Sequence, residues 1–204
     1  MSRHGDVTSD PAIAWAGTGA GARADGPVDA ASVVGFWREA GMQRWFNRDD
    51  AFDHECTRFL AAHHAAARRG LEAWMASAEG ALALLLLLDQ IPRNVFRDSA
   101  HAYATDGLAR HYATRAITAG FDRTVDPDLR VFFYLPYEHS EDLDDQRRSV
   151  ALHRTLPGEQ ADHWAVLHLD IIERFGRFPH RNAALGRTTT AEEQAFLDGG
   201  GFSG

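Results

Sequence analysis

The chain has 204 residues, of which 45% are apolar, and its formal charge is −8 with a pI near 5.7. The length suits one domain with tails, and the acidic balance argues against general nucleic-acid binding and against docking on an anionic membrane. All 21 basic residues are arginine, which also excludes lysine Schiff bases, lysine general bases and lysine-dependent phosphate loops.

The first part of the chain differs in composition from the rest. Residues 1–28 are rich in Gly, Ala and Asp, so we expect a disordered tail there, followed by one helical domain over 29–204. No segment resembles a signal peptide, and the apolar run from Ala81 to Leu88 is shorter than the roughly 20 residues that cross a membrane. Cys56 is the one cysteine, which excludes an intrachain disulfide and fits a packed thiol. We therefore expect a cytoplasmic protein without a membrane or nucleic-acid partner.

Start and stop signals predict one helix after another. The first helix begins at Asp29, and the next ones run over about 50–69, 77–90, 99–119, 126–134, 140–156 and 159–175, before a short last helix at Thr190. The helix that carries the leucines is predicted to end before Pro92, because proline cannot continue the hydrogen-bond ladder. No stretch alternates apolar and polar residues as a strand does. The sequence therefore predicts an all-α fold of antiparallel helical hairpins, in a bundle or a repeat array.

The segment Leu135 to Gln146, LPYEHSEDLDDQ, surrounds a histidine with carboxylates. Ser140 is expected to cap the next helix, which places Glu141 and Asp142 in its first turn, where acids favour the helix dipole. A capped, solvated helix start explains these acids without a function. The alternative is that Glu141 or Asp142 orients His139, which then acts as an acid or a base.

His168 lies on the predicted buried face of the helix over 159–175, beside Trp164. A core histidine with satisfied hydrogen bonds explains it, but it is also the histidine best placed to meet His139. We assign no metal ligand, since neither His-Glu-x-x-His nor Glu-x-x-His occurs. A metal held by His139, His168 and a carboxylate stays open as a variant, and the sequence does not identify a cofactor.

Two further segments combine arginine with other polar residues next to a proline. They are DQIPRN, with Asp89, Gln90, Arg93 and Asn94, and GRFPHRN, with Arg177, His180, Arg181 and Asn182. Guanidinium groups suit a carboxylate or phosphate ligand, but they could equally pair with the acids of the HSED segment inside the protein. The shared polar character of the three segments predicts that they come together.

Three segments in order, LLLLLDQIPRNVFR, FYLPYEHSEDLDDQ and RFGRFPHRNAALGR, followed by TTTAEEQAFL, resemble the bacterial "domain of unknown function 924" family. The resemblance covers Ser32 to Leu197. It implies an all-helical, tetratricopeptide-like fold and no particular activity. The sequence has no repeat period of about 34 residues, which argues against peptide binding by tetratricopeptide repeats.

Two hypotheses about function follow, and neither decides whether the protein is an enzyme. In the first, a polar pocket binds or converts a small anionic molecule, with Arg93, Arg177 and Arg181 on the anion and His139 as acid or base. His168 and His180 are secondary candidates for that role. In the second, the domain is a protein interaction module, and the motif residues form an internal network that fixes helix pairing.

Overall fold

The computed structural model describes residues 28–202, and no residue in that range lies in a strand, which confirms the all-α prediction. The tail predicted over residues 1–28 lies outside the described part except for Val28. The helices are α1 (Ala30–Trp45), α2 (Asp50–Cys56), α3 (Leu60–Ala67), α4 (Ala78–Leu85), α5 (Ile91–Val95), α6 (Asp106–Thr118), α7 (Leu135–Glu138), α8 (Leu143–His153), α9 (His163–Phe175) and α10 (Ala191–Asp198). Between residues 28 and 202, no helix has the length and apolar character that a membrane crossing requires.

The predicted N-caps of three helices are confirmed. Asp29 accepts a hydrogen bond from the amide of Ser32 at the start of α1, and Ser77 accepts one from the amide of Gly80 in α4. Thr190 and Glu193 form a capping box at α10. These caps use side chains within three residues of the helix start, which is why the sequence reveals them.

Helix α4 forms the centre of the core. Every residue from Gly80 to Pro92 is buried, and α4 packs against α1 and α6. Gly80 has no room for a side chain, because a Cβ atom there would overlap the carbonyl of Trp74. Cys56 is buried beside this core as predicted, and burial raises the pKa of its thiol to about 12.

The prediction that the leucine helix ends before Pro92 is wrong. A π-helical turn over Leu86–Gln90 joins α4 to α5, so Pro92 lies inside a continuous helical segment. Pro92 has no N–H to donate to the carbonyl of Leu88, and the hydroxyl of Thr105 donates to that carbonyl instead, at 2.5 Å. A residue outside the helix thus satisfies the carbonyl that proline leaves free.

Three predicted α-helices are partly 3₁₀ in character. The helix over 50–69 is interrupted by a 3₁₀ turn at Thr57–Phe59. The helix over 99–119 begins as the 3₁₀ turn Ala100–Tyr103, before α6. The helix over 126–134 is a 3₁₀ helix, Pro127–Phe133, capped by Asp126. The helical segments were therefore located correctly, but their hydrogen-bonding patterns were not.

The cap of α8 is Asp142 and not Ser140 as predicted. The side chain of Asp142 accepts hydrogen bonds from the amides of Asp144 and Asp145. Ser140 donates to the carboxylate of Asp145 and accepts from the amide of Asp142, within the turn before the helix. His139 and Glu141 therefore lie in a turn between α7 and α8, free to face other parts of the chain.

Candidate functional site

A cavity of about 370 Å³ opens beside the turn between α7 and α8. Charged and polar side chains from three parts of the chain line it, namely Asp106 and Arg110 from α6, His139 and Glu141 from the turn, and Arg181 and Arg187 from the segment before α10. The DQIPRN segment contacts this pocket from behind, through Asp89. The three polar segments thus come together, as the sequence predicted.

The carboxylate that contacts His139 is Asp89, which lies 50 residues earlier in the chain. Nδ1 of His139 lies 2.8 Å from Oδ1 and 3.0 Å from Oδ2 of Asp89. An ionised Asp89 accepts the Nδ1–H, so the neutral ring keeps its lone pair on Nε2. Nε2 makes no hydrogen bond to any described residue. The pair therefore presents an oriented, basic nitrogen at the wall of the pocket.

Asp89 is buried within a set of donors. Nε2 of Gln90 donates to it at 2.6 Å, and Nη1 of Arg93 lies 3.3 Å from its Oδ1. Burial alone would raise the pKa of Asp89, but the charge of Arg93 and these hydrogen bonds hold it well below its usual range. Both Nη atoms of Arg93 also donate hydrogen bonds to the carboxylate of Asp106, each at 2.9 Å. Arg93 therefore stabilises two carboxylates, that of Asp89 behind the pocket and that of Asp106 at its wall.

Burial lowers the pKa of His139 below its usual value, and the charge of Arg93 lowers it further, although Asp89 opposes both effects. His139 is consequently neutral near pH 7. Its backbone is also held in place, because its carbonyl accepts a hydrogen bond from Nη1 of Arg181 at 2.9 Å. A neutral, oriented imidazole is the form that can accept a proton.

His168 does not contact His139 in the structure. Its Nδ1 lies 2.8 Å from the carbonyl of Trp164, one helical turn earlier, and 3.6 Å from Oε1 of Glu138. Burial lowers the pKa of His168 to about 3. Trp164 itself is 57% exposed, so its predicted place on the buried face is wrong. His168 thus belongs to a buried layer next to the pocket and not to its wall.

Glu141 and Asp142, the acids expected to orient His139, have other partners. Glu141 accepts two hydrogen bonds from Arg187, at 2.8 and 2.9 Å, and one from the amide of Phe178 at 2.9 Å. Burial alone would raise the pKa of Glu141, but these bonds lower it below the usual value. Asp142 caps α8. Both acids line the pocket, but neither contacts the imidazole.

Arg177 and Asn182 lie behind the pocket and contact Glu193 of α10. Arg177 donates to the carboxylate of Glu193 from Nε at 2.6 Å and from Nη2 at 2.8 Å. Asn182 donates to the same carboxylate at 3.2 Å. These contacts hold α10 against the GRFPHRN segment. Arg177 therefore pairs with a carboxylate of the protein itself, whereas the sequence predicted that it would bind an anionic ligand.

The remaining predicted residues are also internal. The ring of His180 packs on Phe202, and burial lowers its pKa to about 3. The side chain of Asn94 donates to the carbonyl of Gln90 at 3.0 Å. In the described part of the chain, no group of three or more His, Cys, Asp or Glu side chains is arranged to hold a metal ion.

Tyr103, Asp106 and Arg110 were not predicted from the sequence, and they line the pocket from the 3₁₀ turn Ala100–Tyr103 and from α6. No motif surrounds them, and their place depends on how α6 packs. Arg187 is the last residue of the RFGRFPHRNAALGR segment, whose pattern could have pointed to it.

Comparison with known proteins places the chain in a family. Residues 33–201 match the family described as bacterial protein of unknown function (DUF924), and the chain belongs to it. The chain is also similar to a solved structure described as a protein of unknown function from Agrobacterium tumefaciens. The two are 55% identical with a TM-score of 0.80, over 83% of this chain and 97% of that one. No curated protein matches the chain.

Proposed function

We propose that this DUF924 family member binds a small anionic molecule in the pocket beside His139 and that His139 acts on it as a general base. The observation that carries the proposal is the Asp89–His139 pair, 2.8 Å apart, at the wall of a charged cavity. A buried carboxylate that fixes the tautomer of a histidine is a recurring arrangement in general-base catalysis.

The environment of the pair supports a basic role at neutral pH. Asp89 is ionised because Arg93 and Gln90 stabilise its charge, and His139 is neutral because it is buried. Nε2 then holds the lone pair on the side of the ring opposite Asp89. Proton uptake there is stabilised by the negative charge of Asp89, as an acid–base residue requires.

Arg181 supports the binding of an anion. It lines the pocket, and its nearest carboxylate is that of Asp106, at 3.7 Å. Burial and the nearby charge of Arg93 lower the pKa of Arg181 to about 10, so the guanidinium is charged at neutral pH but poorly compensated. An anion in the pocket would supply the missing negative charge.

The proposal is tested by looking for bound anions and for proton transfer to them. Small carboxylates and phosphate esters are first screened by thermal shift. Each compound that stabilises the protein is then incubated in D₂O, and loss of its C–H signals is followed by proton NMR. We expect at least one compound to exchange a proton, and His139→Gln to slow that exchange by a factor on the order of 10² or more while binding persists.

His111→Gln is the matched control, because His111 is exposed on α6. It should leave both binding and exchange unchanged. If no anion stabilises the wild-type protein, or if His139→Gln exchanges protons as fast as wild type, the proposal is wrong.

A second candidate is a protein interaction module of the tetratricopeptide-like type, in which the motif residues are structural. The bidentate pairs Arg177–Glu193 and Arg187–Glu141 favour it, because both are internal contacts of motif arginines. In that case Asp89→Asn and His139→Gln would lower the unfolding temperature, and no small molecule would bind.

A further inference from the structure

We infer that the ligand of this pocket is a small monocarboxylate, held by the Nε and Nη2 atoms of Arg181, and not a phosphate. The inference rests on the proposed function, since it names the ligand class of the same site. It depends on the geometry of one guanidinium group and on the charges around it.

One edge of the Arg181 guanidinium has no partner. The side chain is 7% exposed, and its Nη1 is used by the carbonyl of His139. Nε is buried and has no hydrogen-bond partner among the described residues, and Nη2 makes no hydrogen bond to any of them. Nε and Nη2 lie on the same edge of the planar group, and this edge can donate two parallel hydrogen bonds to a carboxylate.

Two aromatic rings hold this guanidinium in place. Its central carbon lies 4.7 Å from the centroid of the Tyr103 ring and 4.4 Å from that of Phe178. Such contacts are favourable for a cation and restrict the plane in which its N–H groups point. The parallel Nε–H and Nη2–H groups of a fixed guanidinium match the two coplanar oxygens of a carboxylate. The arginine side chain therefore loses little conformational freedom on binding.

The other arginines of the pocket are already neutralised. Nε of Arg110 lies 2.9 Å from the carboxylate of Asp145, and both Nη atoms of Arg187 donate hydrogen bonds to Glu141. Among the three arginines that line the pocket, Arg181 is therefore the one whose nearest carboxylate lies farthest away, at 3.7 Å. One free guanidinium balances a single negative charge, whereas a phosphate dianion would need a second cation.

The remaining charges of the wall disfavour a phosphate. The carboxylates of Asp106, Glu141 and Asp142 all line the pocket and would repel a second negative charge. The N-terminus of α8 is close by, and helix N-termini are common phosphate sites. The amides of its second and third residues, Asp144 and Asp145, already donate to the side chain of Asp142. Among the residues that line the pocket, no second arginine without a close carboxylate partner is left to balance the extra charge of a phosphate.

The test compares matched ligands on wild-type protein by isothermal titration calorimetry at constant ionic strength. Acetate and benzoate are the carboxylate probes, and inorganic phosphate and phenyl phosphate are their counterparts. We expect a carboxylate to bind at least about tenfold more tightly than its phosphate counterpart. The Nε–H resonance of Arg181 in the wild-type protein should also move on addition of that carboxylate.

Arg181→Lys keeps the positive charge but loses the pair of parallel N–H donors, and it should weaken carboxylate binding at least about tenfold. Arg147→Lys is the matched control and should bind as wild type does, because Arg147 is exposed on α8 and does not line the pocket. Equal or tighter binding of the phosphate probes would overturn the inference and leave the anion pocket standing. Binding of neither class would overturn the proposed function as well. An unchanged Arg181 resonance on carboxylate binding would also overturn the inference, even if Arg181→Lys fails to fold.

Discussion

Oε2 of Glu138 lies 3.3 Å from Nε2 of His153, and neither atom has a hydrogen-bond partner among the described residues. Nδ1 of His153 lies 2.9 Å from the carbonyl of Ser149 and donates to it, so Nε2 is the unprotonated nitrogen of the neutral ring. Burial and the charge of Asp89 raise the pKa of Glu138 to about 8. The carboxyl group is therefore protonated at neutral pH and faces a nitrogen that can accept its proton.

Glu138→Gln should change how stability depends on pH. The folded pKa of Glu138, about 8, is above its ordinary value of 4.5. Its contribution to stability is therefore complete below about pH 4.5 and is lost as the pH rises to 8. Glutamine does not titrate, so the free energy of unfolding of the variant should rise relative to wild type between pH 5 and 8, by a few kcal/mol at about 1.4 kcal/mol per pKa unit. Denaturant unfolding at several pH values measures this, and a pH-independent difference would contradict it.

The buried histidines should make the protein sensitive to acid. Burial lowers the pKa values of His139, His153, His168 and His180, the last two to about 3. Because these pKa values are lowered, the contribution of the neutral histidines to stability is complete above about pH 6.5 and is lost as the pH falls. We expect the unfolding temperature to drop between pH 7 and 5, and His168→Asn to remove part of that drop. His111→Gln, at an exposed site, should not; an equal drop in all three proteins would count against this account.

Thr105→Val should destabilise the fold by about 1–3 kcal/mol, because the carbonyl of Leu88 would lose its hydroxyl donor while remaining buried. Thr118→Val is the control, since Thr118 is exposed and its hydroxyl bonds to the carbonyl of Thr114 within its own helix. Chemical denaturation of both variants measures the difference. Equal stability of the two would show that the π turn does not depend on Thr105.

Gly80→Ala should destabilise the protein by about 1–3 kcal/mol, because the new methyl group would overlap the carbonyl of Trp74, which is backbone and cannot rotate away. Gly107→Ala is the matched change on α6, where a Cβ atom meets nothing within 4 Å. It should stabilise the protein by about 0.5–1 kcal/mol through helix propensity. The two unfolding temperatures should therefore move in opposite directions, and a shift in the same direction would contradict the packing argument.

The features that the sequence predicted correctly are those set by neighbouring residues. Asp29, Ser77 and Thr190 cap helices through contacts within three residues, so their pattern is readable along the chain. The end of the leucine helix at Pro92 was predicted wrongly, because the donor that allows the helix to continue is Thr105, which lies beyond the helix. No local pattern contains that information.

Distance along the chain also decided which residues of the candidate site could be predicted. The polar segments were identifiable because their composition departs from that of the apolar helices around them, and His139 stood out within one. Its partner Asp89 lies 50 residues away, and nearer acids such as Glu141 competed for the assignment. Asp106 and Arg110 could be found only from the packing of α6 beside the turn.

The π turn sets how the polar residues of α5 are rotated about the helix axis relative to the buried leucines of α4. The amide of Ile91 bonds to the carbonyl of Leu86, five residues back, so this turn holds one residue more than an α-helical turn. Residues after the extra one are rotated by about 100° from where an uninterrupted α-helix would put them. If the same five residues formed a regular α-helical turn, that rotation would be lost, and Arg93, which follows the turn, would point away from Asp106. The leucines before the turn could keep their burial while Arg93 lost this carboxylate, so the polar contacts behind the pocket depend on a residue count inside the core.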